Sequence, residues 1–227
     1  MKKLNLISLI LILFIFSMTS LYSETAEDRL LSKREKRILT YTYQAKVGSR
    51  DNKLTVLDNI LNEYSEQNYT KEDKKLLDLA IYLSEEGITR QEFENNRLIN
   101  DFPEVRRKAC ILLGKLGGDE ARNALINILE KDTNQHVKAE ACNALALVGD
   151  NERGDVLKTI VYSYRNTYNP DPNFVLAIIN AVKTLAKNSY NAAYGDALYI
   201  LTEIQVGHYN NYIRTEAYNA IKFLNSE

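Results

Sequence analysis

Two segments of the chain, "VRRKACILLGKLG" from Val105 and "VKAEACNALALVG" from Val137, share one pattern, Val-[Arg/Lys]-x-x-Ala-Cys-x-x-Leu-x-x-[Leu/Val]-Gly. An internal repeat constrains a fold more than composition does, because each unit leaves an apolar face that only its neighbour covers. The pattern continues in weaker form. "CNALALVG" becomes "INAVKTLA" at 179–186, and "NAVKTL" becomes "NAIKFL" at 219–224, so the period drifts from 32 to 37 to 39 residues.

Each copy reads as an amphipathic helix. Val137, Ala141, Ala144, Leu145 and Val148 fall at i, i+4, i+7, i+8 and i+11, a single apolar stripe. Gly117 and Gly149 end the first two copies, glycine being the residue that accepts a positive φ cheaply. A second helix follows each of the first three copies: "DEARNALINILEKD", "GDVLKTIVYSYRN" and "GDALYILTEIQVG", each opened by an acid that complements the helix dipole. Asp101, Asp132 and Asp171 fall in the turns before the next copy. The small residues Ala109, Ala141 and Ala144 let neighbouring helices approach closely, while Leu113 and Leu145 fill the space between paired helices.

Upstream, "RLLSKREKRILTYTYQAKV", "NKLTVLDNILNEYSEQ" and "TKEDKKLLDLAIYLSEEG" read as three helices, with Thr70 as the cap of the third and Asp73 three residues on. They are degenerate repeats or a capping bundle. "ITRQEFENNRLIND" reads as a short helix or a connector.

The first 23 residues stand apart. Lys2 and Lys3 precede a run without charge as far as Glu24, which reads as an export signal, or as an uncleaved anchor long enough to span a bilayer. Arg29 and "KREKR" at 33–37 place positive charge on the side that must cross, against the usual orientation rule. Cleavage after residue 23 would remove two lysines and no acid, taking the net charge from −1 to −3. Acids and bases are interspersed through the body, with no basic face to displace counterions from a phosphate backbone, which argues against nucleic acid as a partner.

The residues Asp101, Val105, Arg106, Ala109, Leu113 and Gly117, and again Val137, Lys138, Ala141, Leu145 and Gly149, resemble the HEAT-repeat family, in particular its short bacterial form of the bilin-lyase-like type. The likeness is good over about residues 101–166 and weaker over 171–227, where Val175 and Ala186 stand in place of a base and a glycine. The resemblance implies an all-α, right-handed α-solenoid of stacked helical hairpins, with the second helices lining its concave face. Three regions follow: 1–23 as signal or anchor, 24–100 as an N-terminal helical region, and 101–227 as the HEAT-like repeats.

Chemistry-bearing residues are sparse. Cys110 and Cys142, the two cysteines of the chain, hold equivalent positions on successive repeats. Packed helix axes lie about 8–10 Å apart, whereas a disulfide needs Cα atoms within about 7 Å, so both read as packing residues. His136 and His208 have no neighbouring ligand residues for a metal. The iron-dependent hydroxylases that share the HEAT architecture rely on several His-Glu pairs, and here His136 precedes Val137 and His208 precedes Tyr209. Asn143, Asn180 and Asn219 recur in one Asn-Ala-aliphatic context and read as surface or inter-turn hydrogen-bonding residues, with a ligand-binding ladder as the rarer reading.

Tyrosine is the strongest functional signal. Fifteen tyrosines are present and nine follow residue 160. On the second helices Lys158, Tyr162 and Arg165 share the outward side of one repeat, and Tyr199 and Glu203 the equivalent side of the next, while Tyr164 falls on the core stripe. Tyrosine and arginine dominate binding hot spots because they bury large area and keep a polar end. The expectation is an exported scaffold, in the periplasm or on the outer face of the cytoplasmic membrane. It binds a protein or peptide through this strip, uses no cofactor and catalyses nothing. It touches the membrane only through residues 4–22 if they are retained. The alternatives are a chromophore- or small-molecule-binding enzyme of the bilin-lyase type and a purely structural envelope component.

Overall fold

The computed structural model describes residues 26–149, 154–187 and 194–226. The expected signal or anchor segment lies outside the described residues, and among these no helix is long and apolar enough to cross a membrane. The chain divides into two compact units, one ending at Thr40 and the other running from Tyr41 to Glu227. Helix α1, Ala26–Val47, begins in the first unit and ends in the second.

The second unit holds nine further helices among the described residues: α2 (Arg50–Glu63), α3 (Lys74–Ser84), α4 (Pro103–Leu116), α5 (Gly118–Lys131), α6 (Gln135–Val148), α7 (Asp155–Arg165), α8 (Pro172–Lys187), α9 (Tyr194–Val206) and α10 (Asn211–Asn225). They pack as two rows. One is α2–α4–α6–α8–α10 and the other α3–α5–α7–α9, each helix touching the next in its own row. The rows are joined as α3 against α4, α5 against α6, α7 against α8 and α9 against α10. Helices α2 and α3 therefore enter the same two rows as the four repeated segments.

Local chemistry explains the helix ends. The Asn134 side chain accepts from the His136 and Val137 amides, and the Asn210 side chain from the Ile213 amide, so both helices start on a side-chain cap. Gly149 ends α6 in the left-handed conformation, with φ 73° and ψ −3°. Gly117 has φ 69° and ψ −169°, a region open essentially to glycine alone, and turns the chain directly from α4 into α5.

One local expectation is corrected, and another is narrowed to one of its two forms. Helix α3 begins at Lys74 with Asp73 as its cap residue, three residues after the cap expected at Thr70. The Thr70 amide donates to the Asp73 carboxylate at 2.8 Å, but the Thr70 hydroxyl accepts from the Glu72 amide, closing a tight turn before the helix instead of capping it. The segment after α3 forms no helix. It is a connector carrying a two-residue hairpin, β1 (Phe93–Glu94) against β2 (Arg97–Leu98). Asn95 and Asn96, at φ 49° and 62°, supply the two left-handed positions that a tight hairpin turn requires.

The core lies between the rows. Leu76, Leu77, Leu112, Leu113, Leu125, Ile128, Leu129, Leu145, Phe174 and Ile178 are all buried. Ala109, Ala141 and Ala144 are buried too, in keeping with close approach of neighbouring helices.

Candidate protein-binding surface

Helix α7 presents Lys158, Tyr162 and Arg165 to solvent and buries Val156, Leu157, Ile160, Val161 and Tyr164. On α9 the same division leaves Tyr199 exposed and buries Ala197, Ile200, Leu201 and Ile204. Tyr162 is 58% and Tyr199 57% exposed, a large fraction for rings of this size.

The structure brings three of the five expected site residues into direct contact. The Arg165 guanidinium lies over the Tyr199 ring, 4.5 Å from its centroid, and Arg165 Nε stands 3.7 Å from Glu203 Oε2. Arg165 is thus held by a ring on one side and a carboxylate on another, yet about half of its side chain stays exposed. Lys158 holds the position equivalent to Tyr199 in the preceding repeat, but Arg165, seven residues further on, is the cation that reaches that ring. Tyr164 underlies the strip. Its hydroxyl shares a hydrogen bond of 3.1 Å with that of Tyr209. Burial first, then that bond and the nearby Glu203 carboxylate, push the Tyr164 phenol well above its usual range.

This row is laced by an ion pair at each step. Lys74 of α3 meets Glu120 of α5, Arg122 of α5 meets Asp155 of α7, and Arg165 of α7 meets Glu203 of α9. Two acids read from sequence as opening second helices, Asp155 and Asp196, do lie in first turns, and Asp155 also ties its helix to the one before.

A buried charge network was not foreseen. Arg106 makes a two-pronged bond to Asp132, Nε to Oδ2 at 2.7 Å and Nη2 to Oδ1 at 3.2 Å, and Nη1 donates to Asp101 Oδ1 at 2.7 Å and to the Glu86 carbonyl at 3.1 Å. Arg106 and Asp132 are nearly inaccessible. Lys53 of α2 pairs with Glu86 in an equally buried setting. The Arg and Asp of the repeat pattern were visible in sequence, but their pairing spans 26 residues and no local signal reveals it. In the next repeat Lys138 replaces Arg106 and donates only to the Thr167 hydroxyl at 3.3 Å. Burial lowers its pKa, against the pull of Asp132.

Cys110 and Cys142 are fully buried free thiols, and burial pushes both well above the usual thiol range. His136 sits exposed in the first turn of α6, and His208 is exposed between α9 and α10. Among the described residues no three His, Cys, Asp or Glu side chains gather as metal ligands. Asn143, Asn180 and Asn219 are all exposed on the row that contains α6, α8 and α10.

No curated protein matches the chain. Residues 96–168, from the hairpin turn through the end of α7, match the family model for HEAT repeats.

Proposed function

We propose that this chain is an exported, non-catalytic scaffold that binds a protein partner along the α7–α9 surface, within a right-handed stack of HEAT-like hairpins. The observation that carries the reading is Arg165, stacked on Tyr199, braced by Glu203 and half exposed beside Tyr162. A cation fixed on an aromatic ring loses little freedom when a partner arrives, and Tyr and Arg are the side chains that concentrate binding energy. Stacked repeats expose extended surfaces suited to that use, and the HEAT match over residues 96–168 agrees with it. Lys2, Lys3 and the apolar run that follows support export.

The test is capture of the partner from the native envelope by wild-type protein and by the double variant Tyr162→Ala/Tyr199→Ala. Capture should fall more than tenfold with the fold intact, since neither ring belongs to the core. Asn143→Ala, on the other row, should capture normally. Normal capture by the double variant combined with loss in the Asn143 variant would move the working surface to the other row. Export is checked separately by fusing residues 1–40 to a reporter active only outside the cytoplasm; an inactive, well-expressed fusion would reverse the localisation.

A further inference from the structure

We infer that α1 lies along a membrane surface, its exposed side on anionic lipid headgroups and the uncharged run of residues 4–22 in the bilayer beside it. The interspersed pattern of acids and bases breaks at this helix. From Arg29 to Val47 the chain carries six bases, Arg29, Lys33, Arg34, Lys36, Arg37 and Lys46, against the single acid Glu35. From Gly48 to the end the balance reverses, with 26 acids to 21 bases. Glu27 and Asp28 come earlier, in the first turn of α1, where they complement its dipole. Lys33, Glu35, Lys36, Arg37 and Lys46 are exposed. A basic segment directly after an apolar run is the pattern that anionic lipid attracts.

Charge alone would suit any acidic partner. Helix α1 also exposes Leu39, Tyr43 and Val47, at i, i+4 and i+8, with half or more of each side chain open to solvent. Lys36 precedes them on the same stripe, three residues before Leu39. Ile38 and Ala45, on the opposite side of the helix, are buried. Helices that lie in a headgroup layer combine such an apolar stripe with lysine and arginine around it.

Chain geometry brings the surface within reach. Ala26 stands four residues beyond Tyr22, at most about 14 Å of extended chain. With the run in the bilayer, the first turn of α1 therefore lies in or just outside a headgroup layer about 5–8 Å deep. A helix of 22 residues is about 33 Å long, so α1 either stands off from that layer or lies on it. Standing off would leave Leu39, Tyr43 and Val47 in water. It would also carry most of the cations beyond the about 8–10 Å over which charge is felt at moderate salt. Lying down brings cations and apolar stripe to the headgroups together. The run also decides between lipid and an acidic protein, since it holds the lipid surface beside α1 continuously. Either side of the membrane would serve, given anionic headgroups.

The experiment uses the full chain, reconstituted from detergent into phosphatidylglycerol/phosphatidylcholine vesicles and into phosphatidylcholine alone. A polarity-sensitive fluorophore is placed on Thr40→Cys, exposed on α1, or on Lys131→Cys, exposed on α5, while the buried native thiols stay unlabelled. The Thr40 probe should shift to the blue in the anionic vesicles only, and the Lys131 probe in neither. Salt at about 1 M, where screening acts over about 3 Å, should reduce the shift. Lys33→Glu/Lys36→Glu should abolish it with Tm unchanged, since both side chains are exposed. An equal shift in neutral vesicles, no shift in anionic ones, or a shift that survives the charge reversal would overturn the proposal. So would a shift in detergent without lipid that grows with protein concentration, which would put the acids of a second copy on α1. None of these outcomes bears on the α7–α9 strip, whose partner is captured through other residues.

Discussion

Gly114 of α4 faces Ala144 of α6 so closely that a Cβ added to the glycine would lie 2.9 Å from both the Cα and the Cβ of Ala144. The two helices touch almost backbone to backbone, and the small residues of the repeat pattern exist to allow it. Gly114→Ala sets two effects against each other. Alanine gains up to about 1 kcal/mol in helix propensity, whereas overpacking a rigid contact costs about 1–3 kcal/mol. The clash is with main chain as well as side chain and cannot relax by a rotamer change, so the loss should win. Urea unfolding should show a lower midpoint with an unchanged slope, and equal or greater stability would show that the helices separate freely.

The Arg106–Asp132 pair makes the opposite kind of prediction. Both groups are buried, and loss of Asp132 leaves the Arg106 charge with only the half-exposed Asp101 carboxylate and the Glu86 carbonyl, at a cost that approaches the roughly 3–5 kcal/mol of a fully unpaired buried charge. Asp132→Ala should therefore be among the most damaging single changes in the repeats. The double variant Arg106→Met/Asp132→Leu removes both charges and should recover at least half of that loss. A double variant no better than Asp132→Ala would mean that the bonds from Arg106 to Asp101 and the Glu86 carbonyl carry the energy.

How far the sequence was readable follows from the range of the interactions involved. The rows formed by α4 to α10 were legible because Ala, Leu and Gly recur at helical spacing, and close packing of identical surfaces needs identical residues. Entry of α2 and α3 into the same rows was open, since contacts that seat them, such as the Lys108–Asp58 bridge to α2 and the Lys74–Glu120 pair from α3, join residues 50 and 46 apart with no repeat signature. The hairpin was missed because two-residue strands carry no period to detect, although the Asn95–Asn96 pair was a usable turn signal. At the strip, helical spacing placed Tyr162, Arg165 and Tyr199 on exposed faces. It did not say that Arg165 would reach across to Tyr199, because that depends on the stagger between α7 and α9.

Glu140 supplies a pH test. Burial holds its carboxyl above the usual range, and the Arg107 charge opposes this only in part. A raised carboxyl pKa in the folded state means that the group's favourable contribution is complete below the unfolded value, about 4.3, and is lost as pH rises through the folded value. At pH 7 the ionised side chain therefore works against folding. Glu140→Gln should be more stable than the parent at pH 7, with the gap closing as the pH falls to about 4. An advantage that grew on acidification would contradict the burial argument.

The two cysteines turn the packed stack into a reporter of its own opening. Cys110 and Cys142 lie on neighbouring helices of one row, fully buried, and burial raises both thiols, so thiolate is scarce at pH 8 while the protein is folded. Iodoacetamide should leave the native protein unmodified and add two alkyl groups to the denatured, unreduced protein, as counted by mass. Because α4 and α6 are flanked on both sides within their row, exposure of either thiol requires the stack to part, and the two should react at one shared rate that rises with urea along the unfolding curve. Cys110→Ala and Cys142→Ala should each cost about 1–2 kcal/mol through lost burial and leave capture of the strip's partner intact. Fast labelling of one thiol in the native protein would show that α4 and α6 open separately, and a Cys110–Cys142 disulfide in protein from the native envelope would mean that the helices approach more closely there than packed axes allow.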